Sequence, residues 1–348
     1  MENQKKKLTY ADSGVDIDAG DAAVERIKTL ARDTFNSKVL TGIGLFAGFY
    51  KPDFDGIEKP VLISSADGVG TKLKLAFMTG IHDTIGEDLV NHCVDDILVH
   101  GARPLFFLDY IGTGKLSPDV IADIVAGLTR GCKQCNMPLL GGETAEMPDF
   151  YAPGEYDLAG FIVGVVDESR IINGTAIRPN DVCLGLPSNG LHTNGYSLAR
   201  KVAFEIAGAR PDDRPERLGT TVAQALMAVH RNYEPLVRDL LDRFEIHGMA
   251  HITGGGLPGN LARVLPADCD ALLHKSAWPI PPVFQWLRDE GDLDRQDMYR
   301  AFNMGIGFVM VVPPTVADQL QRHVSDIGET IYRIGDIIPG NGTVKLKD

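Results

Sequence analysis

The sequence predicts a two-domain chain of mixed α/β class, on three observations. The chain has 348 residues, and at roughly 100–200 residues per domain this length suggests about two domains. Apolar runs of strand length interleave with stretches of helical periodicity in both halves. Between the halves lies a polar stretch, 167–181, with Gly174 and Pro179, after which the alternation restarts. One domain is therefore expected over 1–170 and a second over 171–348. Apolar residues make up 44% and charged residues 23%, which excludes a disordered, collagen-like or coiled-coil chain.

The elements follow in order. Lysines at 5–7 with no apolar run behind them read as a short solvated tail rather than a signal peptide. Val24, Ile27, Leu30, Ala31 and Phe35 fall near helical spacing and predict a helix over 21–35 with Asp21 as its N-cap. Lys28 sits one position past Ile27, off the centre of that stripe. A Gly-bearing segment follows at 41–48, then a buried strand at 60–64 running into Asp67-Gly-Val-Gly-Thr-Lys72. The clearest helix is 86–100, whose Leu89, Val90, Cys93, Val94, Ile97 and Leu98 make one apolar face. Next come a strand at 105–110, a helix opened by Ser117-Pro118-Asp119 and running to about 130, a strand at 137–140 ending in Gly141-Gly142, and a strand at 156–166. The second half predicts strands at 182–186, 246–252, 306–312 and 330–334. Its helices fall at 194 onward, 220–231, 234–244, 259–264, 282–289 and 315–327.

Charge and composition narrow the function. The net charge of −13 argues against a broad nucleic-acid surface, which must displace cations from phosphates. No apolar run approaches the roughly 18 residues that would cross a bilayer. Five cysteines form no disulfide framework and fit a reducing cytoplasm. Cys132 and Cys135 have CxxC spacing but no second pair, so packing is preferred over zinc.

The chain has no Walker phosphate loop, no strand-linked GxGxxG, no GxSxG and no HExxH. In their place stand several ambiguous elements. Asp67, Gly68, Gly70 and Lys72 supply a metal ligand, exposed N–H groups and a positive charge, or simply a tight turn with a surface lysine. Asp96 falls about 20° from Leu89 on the helical wheel and Asp95 about 240°, so Asp96 borders the buried face and needs a partner, either a metal or an ion-pair donor. Asp83 reads as a cap of the same helix. Gly141, Gly142 and Glu143 end a strand where α/β proteins place ligands, or serve a turn. The 188–197 loop gathers Asn189, His192, Thr193 and Asn194, with His192 its one imidazole; the other histidines read as scattered core or surface residues. Thr253, Gly254 and Gly255 precede a helix as an anion cradle or a hinge. Together these residues suit an Mg²⁺-dependent enzyme acting on phosphorylated small molecules.

At this point the residues resemble a known family, the phosphoribosylformylglycinamidine cyclo-ligases (aminoimidazole-ribonucleotide synthetases). The resemblance runs through the motifs at 10–20, 67–72, 82–86, 104–110, 141–148, 154–161, 192–198, 251–256 and 298–307. It implies a homodimer whose N-terminal sheets join as a barrel, a C-terminal α/β sandwich, and ATP with Mg²⁺. It implies Asp67, Asp96 and Glu143 as metal ligands. Lys72, Asp83, Gly141, Gly142 and Glu143 are implied as nucleotide contacts, covered by Lys28 and a loop containing Gly42 and Gly44. Asn189, Thr193, Asn194, Thr253, Gly254 and Gly255 are implied on the substrate side. His192, Lys28 and Asp96 are expected to be catalytic, with His192 moving the proton because imidazole titrates near pH 7. Asp95 stands where the family often has Asn, and Arg103 replaces a common acid. Rival readings are a selenophosphate- or thiamine-phosphate-forming relative and a non-catalytic nucleotide-binding partner. The Gly142–Pro148 stretch weighs against the first, and the presence of Asp67, Asp96 and His192 against the second.

Overall fold

The structure, a computed structural model, describes Gly14 and residues 16–348. The lysines at 5–7 and the first part of the 10–20 motif lie outside the described residues. The first helix, α1 (Ile17–Arg32), starts earlier than its periodicity suggests. Asp16, extended and just outside the helix, accepts the Ala19 N–H and is the N-cap, while Asp21 sits inside the helix.

Strands β1 (Pro60–Gly68), β2 (Arg103–Thr113), β3 (Leu139–Glu146) and β4 (Tyr156–Asp167) form a four-stranded sheet in the order β1-β4-β2-β3. β1 and β2 run antiparallel to β4, and β2 runs parallel to β3. After the short helix α2 (Leu73–Thr79) comes α3 (Ile85–Leu98), which lies across β1, β4 and β2. The sheet makes room for it with glycines. A Cβ at Gly160 would meet Leu89 and Cys93, and one at Gly164 would meet Ile97. Helix α4 (Pro118–Gln134) packs beside α3, and α1 packs beside α4. All three helices cover the same face. On the other face, Leu62 is 63% and Phe161 43% exposed.

Strands β5 (Val182–Pro187), β6 (Gly248–His251), β7 (Cys269–His274), β8 (Ile306–Val312), β9 (Tyr332–Pro339) and β10 (Val344–Lys347) form a second sheet, β10-β7-β9-β5-β8-β6. Its β8 is buried at all seven positions, as a strand covered on both faces must be. One cover comprises α7 (Glu234–Arg243) and α11 (Pro314–Asp326), packed on Leu184, Leu186, Phe308 and Met310. Leu98, at the end of α3, joins that same core, so the two domains share packing. The opposite core takes in α5 (Tyr196–Arg200), α8 (Gly256–Leu261) and α9 (Pro282–Gly291). The fold is thus a mixed α/β two-domain fold, as the sequence predicts. Among the described residues no helix is long and apolar enough to cross a membrane.

Three expectations need correction. The strand expected to end at Leu140 continues through Gly141, Gly142 and Glu143, because β2 pairs with it as far as Glu146. The helix expected over 220–231 is only α6 (Val222–Leu226), opened by a Thr221/Gln224 capping box; the chain then passes α3 without regular secondary structure until α7 begins. Strands β7 and β10 and helix α10 (Arg295–Ala301) are additional, being too short to show a period.

α3 and α4 touch through glycine. A Cβ at Gly127 would lie 2.4 Å from the Asp83 carbonyl oxygen and 2.9 Å from the Glu87 nitrogen, backbone atoms that cannot turn aside. Gly127→Ala is therefore expected to destabilise the fold by about 1–3 kcal/mol, read as a lower urea midpoint; an unchanged midpoint would show that the helices tolerate separation.

Candidate active site

One side of α3 faces the sheet and is apolar; the other faces the second domain and is polar. Asp88, Asn91, His92 and Asp95, spaced 3, 1 and 3 apart, form one stripe along that side. Backbone groups of the 228–233 segment bond three of the four. Asp88 Oδ1 accepts the His230 N–H at 2.7 Å, Asn91 Nδ2 donates to the His230 carbonyl at 2.7 Å, and Asp95 Oδ1 accepts the Tyr233 N–H at 3.1 Å. Lys72, in the turn after β1, reaches under the helix to Asp88 at 2.7 Å and to the Ala228 carbonyl at 2.8 Å. Burial pushes the Lys72 amine down and the Asp88 carboxyl up, each opposed by the other's charge.

Next to this stripe, Asp67 and Asp96 share a polar cleft of about 440 Å³ with Ser65, His251, Thr253 and Arg263. Their side chains are 44% and 27% exposed. Burial acts to raise both carboxyls, but imidazole partners win and hold them below the usual range. His92 Nε2 lies 2.7 Å from Asp67 and His251 Nδ1 2.9 Å from Asp96, which also accepts from the Ser65 hydroxyl at 3.1 Å. For His92, burial would lower the pKa, yet the Asp67 contact leaves it raised. The loop at Thr253, Gly254 and Gly255 rims the cleft, braced by the Asn260 amide on the carbonyls of Thr253, Gly254 and Gly256. Asn194 lies against Gly254, and Thr193 Oγ1 bonds His92 Nδ1.

A second cavity, about 660 Å³, lies at the β3 edge. The 42–48 loop lines it with Phe106, Asp109, Tyr110, Gly141, Gly142, Glu143 and Phe161. Lys28 closes on this loop at Gly44 and pairs with Glu25 at 2.7 Å. Burial pushes the Asp109 carboxyl up to about 7.

Several expected site residues are placed elsewhere. Glu143 does not join Asp67 and Asp96. Register aligns Asp67, Gly160, Asp109 and Gly142 across the sheet, so Gly142 is about 14 Å from Asp67 at three strand spacings, and Glu143, one residue on, points to the opposite face. Lys72 is wholly buried and cannot reach a nucleotide in this conformation. Asp83 pairs with Arg130 outside both cavities. Asn189 is exposed and lines neither. His192 is not in the cleft. It is fully buried, with neither ring nitrogen partnered among the described residues, stacked on His230 at 4.1 Å, in space left by Gly307. Burial drives its pKa well below the usual imidazole value.

Comparisons with known proteins now bear on this arrangement. Residues 55–166 match the family model described as AIR synthase related protein, N-terminal domain, and 178–347 match the corresponding C-terminal domain. The chain is 52% identical over 335 residues to a phosphoribosylformylglycinamidine cyclo-ligase of Syntrophotalea carbinolica, covering 96% of each. It is 48% identical to that of Geobacter sulfurreducens, covering 98% of this chain and 99% of the relative. The chain belongs to the phosphoribosylformylglycinamidine cyclo-ligase family. Among solved structures, a thiamine-monophosphate kinase from Stenotrophomonas maltophilia shares its fold at 20% identity and TM-score 0.67, over 94% of this chain and 96% of the kinase. Hydrogenase maturation protein HypE in complex with ATP does so at 17% identity and TM-score 0.64, over 92% and 90%.

Within this family member, sequence reasoning missed His92, His230, His251 and Arg263. Two signals were available: His92 and Asp96 stand four apart on one helix, and His251 lies two residues before Thr253. His230 had none, since it comes in along the 228–233 segment.

The Lys72–Asp88 pair is testable. Lys72→Met leaves a buried carboxylate unpaired and is expected to lower stability by about 3–5 kcal/mol. The double variant Lys72→Met/Asp88→Asn, which keeps an acceptor for the His230 N–H, should recover most of that in urea unfolding. A Lys72→Met midpoint equal to wild type would return this lysine to the list of ligand contacts.

Proposed function

We propose that this chain closes the imidazole ring of aminoimidazole ribonucleotide from formylglycinamidine ribonucleotide, consuming ATP and releasing ADP and phosphate. The observation that carries this is the pair of carboxyl side chains, Asp67 and Asp96, in one interdomain cleft of a chain about half identical to cyclo-ligases along its length. An amide oxygen leaves poorly. Its transfer onto the γ-phosphorus of ATP breaks the bond to ADP and makes an iminophosphate. The amidine nitrogen then attacks the activated carbon, phosphate departs with the oxygen, and the nitrogen sheds a proton. What the protein must supply is proximity and charge stabilisation.

Asp67 and Asp96 fit Mg²⁺. Both are oxygen donors kept ionised by His92 and His251, with the Ser65 hydroxyl beside them. An ion held there would neutralise charge on phosphate oxygens. Arg263 brings a fixed positive charge to the same cleft, and the exposed Gly254 and Gly255 offer close backbone approach for a ribonucleotide phosphate. The cavity containing Gly42, Gly44, Gly141 and Gly142, with Lys28 at its loop, is our candidate for covering the nucleoside. His192, expected to move the proton, is buried away from the cleft, and the imidazole that touches Asp96 there is His251.

A homodimer also belongs to this proposal. The face of the first sheet away from the helices carries Leu62, Ala66, Phe106, Leu108, Phe161 and Val163, an apolar surface that the 42–48 loop borders at one end and that suits a second copy of the same sheet. The division of labour follows 1–170 and 171–348. Five free thiols support a cytoplasmic setting.

The direct test is ADP release by the purified chain. Release is expected only with formylglycinamidine ribonucleotide present, together with formation of the aminoimidazole product; a folded preparation showing neither would refute the activity. Asp96→Asn should raise the Mg²⁺ needed for half-maximal rate and cut kcat/KM at least about tenfold, ~1.4 kcal/mol of barrier. Unchanged Mg²⁺ dependence would remove Asp96 from the metal. For the interface, Leu62→Glu should convert a dimer to a folded monomer by light scattering, and a dimer persisting at micromolar concentration would place the contact elsewhere.

A further inference from the structure

The seam between the domains holds more imidazole than the proposed reaction uses. His92, His192, His230 and His251 form one knot, with ring centroids of His230 lying 4.1 Å from His192, 5.0 Å from His251 and 5.3 Å from His92. We infer that Asp95, His230 and His251 form a second metal site, separate from the Asp67–Asp96 pair, for a borderline divalent ion of the Zn²⁺ class.

The donor atoms converge. His230 Nε2 and His251 Nε2 face each other at 3.1 Å, Asp95 Oδ2 is 3.4 Å from His230 Nε2, and all three lie within 4.8 Å of one another. A tetrahedral ion with bonds of about 2.0–2.1 Å separates its ligand atoms by about 3.3–3.4 Å. Two edges of the ligand triangle therefore already have nearly the required length.

The supporting contacts are also in place. A metal-bound imidazole usually gives its other N–H to an acceptor, which fixes the tautomer and turns the free lone pair on the metal. His251 Nδ1 does this to Asp96 at 2.9 Å, and His230 Nδ1 has Thr193 Oγ1 at 3.3 Å. Asp95 spends Oδ1 on the Tyr233 N–H, while its Oδ2, fully buried and directed into the triangle, accepts no hydrogen bond from the described residues. A buried carboxylate oxygen without a donor is costly. An ion there removes that cost and takes the place of the hydrogen bond between the two facing imidazole nitrogens.

The overlapping group His92, Asp96 and His251 is also close enough to bind, but its donors are engaged. His92 spends both ring nitrogens on Asp67 and Thr193, and Asp96 already belongs to the Asp67–Asp96 pair. Two imidazoles and one carboxylate suit Zn²⁺ or Co²⁺ over Mg²⁺, which takes oxygen. His251 also lines the open cleft, which gives the ion a way in. Bound, it would clamp α3 to the 228–233 segment and β6, joining the domains.

The test needs neither ATP nor substrate, so its outcome is independent of the proposed reaction. Chelator-treated chain is titrated with Co²⁺. One ion per chain with tetrahedral visible absorption is expected, displaced by Zn²⁺ but not by a large excess of Mg²⁺. X-ray absorption of the Zn²⁺-loaded chain should show imidazole scattering. His230→Gln and Asp95→Asn should each weaken Co²⁺ binding at least about tenfold, and Thr193→Val, which removes the supporting contact to His230 together with the Thr193–His92 bond, by about 10–100-fold. Displacement by Mg²⁺, a thiolate-to-cobalt charge-transfer band, or wild-type affinity in a folded His230→Gln would each overturn the site. Should the variants unfold, X-ray absorption of the unaltered chain still decides: scattering without imidazole refutes the assignment.

Discussion

The polar side of α3 is the constraint on which the rest of the molecule depends. A helix buried on all sides would ordinarily be apolar on all sides. This one carries Asp88, Asn91, His92 and Asp95 into the interior, where each polar group needs a partner or costs several kcal/mol. The partners are mostly backbone N–H and carbonyl groups of 228–233, together with Lys72. Backbone partners cannot swing away as side chains do. Satisfying the stripe therefore sets where the second domain sits on the first, and every catalytic distance across the seam inherits that placement.

The cleft follows from it. Asp96 lies one position beyond Asp95, at the edge of the stripe, mostly in the seam and about a quarter exposed to solvent. Once 228–233 is docked, β6 brings His251 to Asp96, and the pleat of β1 turns Ser65 and Asp67 toward the same helix. The two carboxylates come from different elements of one domain, and their imidazole partners from both. A chain of net charge −13 can in this way present ionised acids to a divalent ion without leaving them unpaired in its absence.

Much of the architecture was legible because it is periodic. The apolar face of α3, the buried strand β8 and the polar break between the halves are local patterns, and local patterns survive in a linear sequence. What could not be read was anything that depends on a partner far along the chain. His230 stands 138 residues from His92 in sequence, on a segment with no period of its own once α6 ends, and the periodicity of its neighbours suggested helix. Lys72 reads equally well as a surface cation or a buried counter-ion. Only the presence of Asp88 and the Ala228 carbonyl beneath it decides. His192 is the same case reversed, an imidazole in a loop of polar residues that the Gly307 vacancy draws into the core.

Glu143 shows why residue types alone do not make a site. Its neighbours Gly141 and Gly142 and its charge matched a metal or phosphate loop, and the sequence offers no reason to separate it from Asp67. Separation comes from strand order. β4 lies between β1 and β2, and β2 between β4 and β3, so the two acids stand at opposite edges of a four-stranded sheet. The one-residue offset from the Asp67–Gly160–Asp109–Gly142 row then turns them to opposite faces. Oxygens bound to one Mg²⁺ lie within about 4.2 Å of each other, twice a bond of about 2.1 Å. A span of about three strands exceeds that severalfold, so within one chain Glu143 serves the open face and the second cavity, while the carboxylates that meet are those which α3 and β1 bring together.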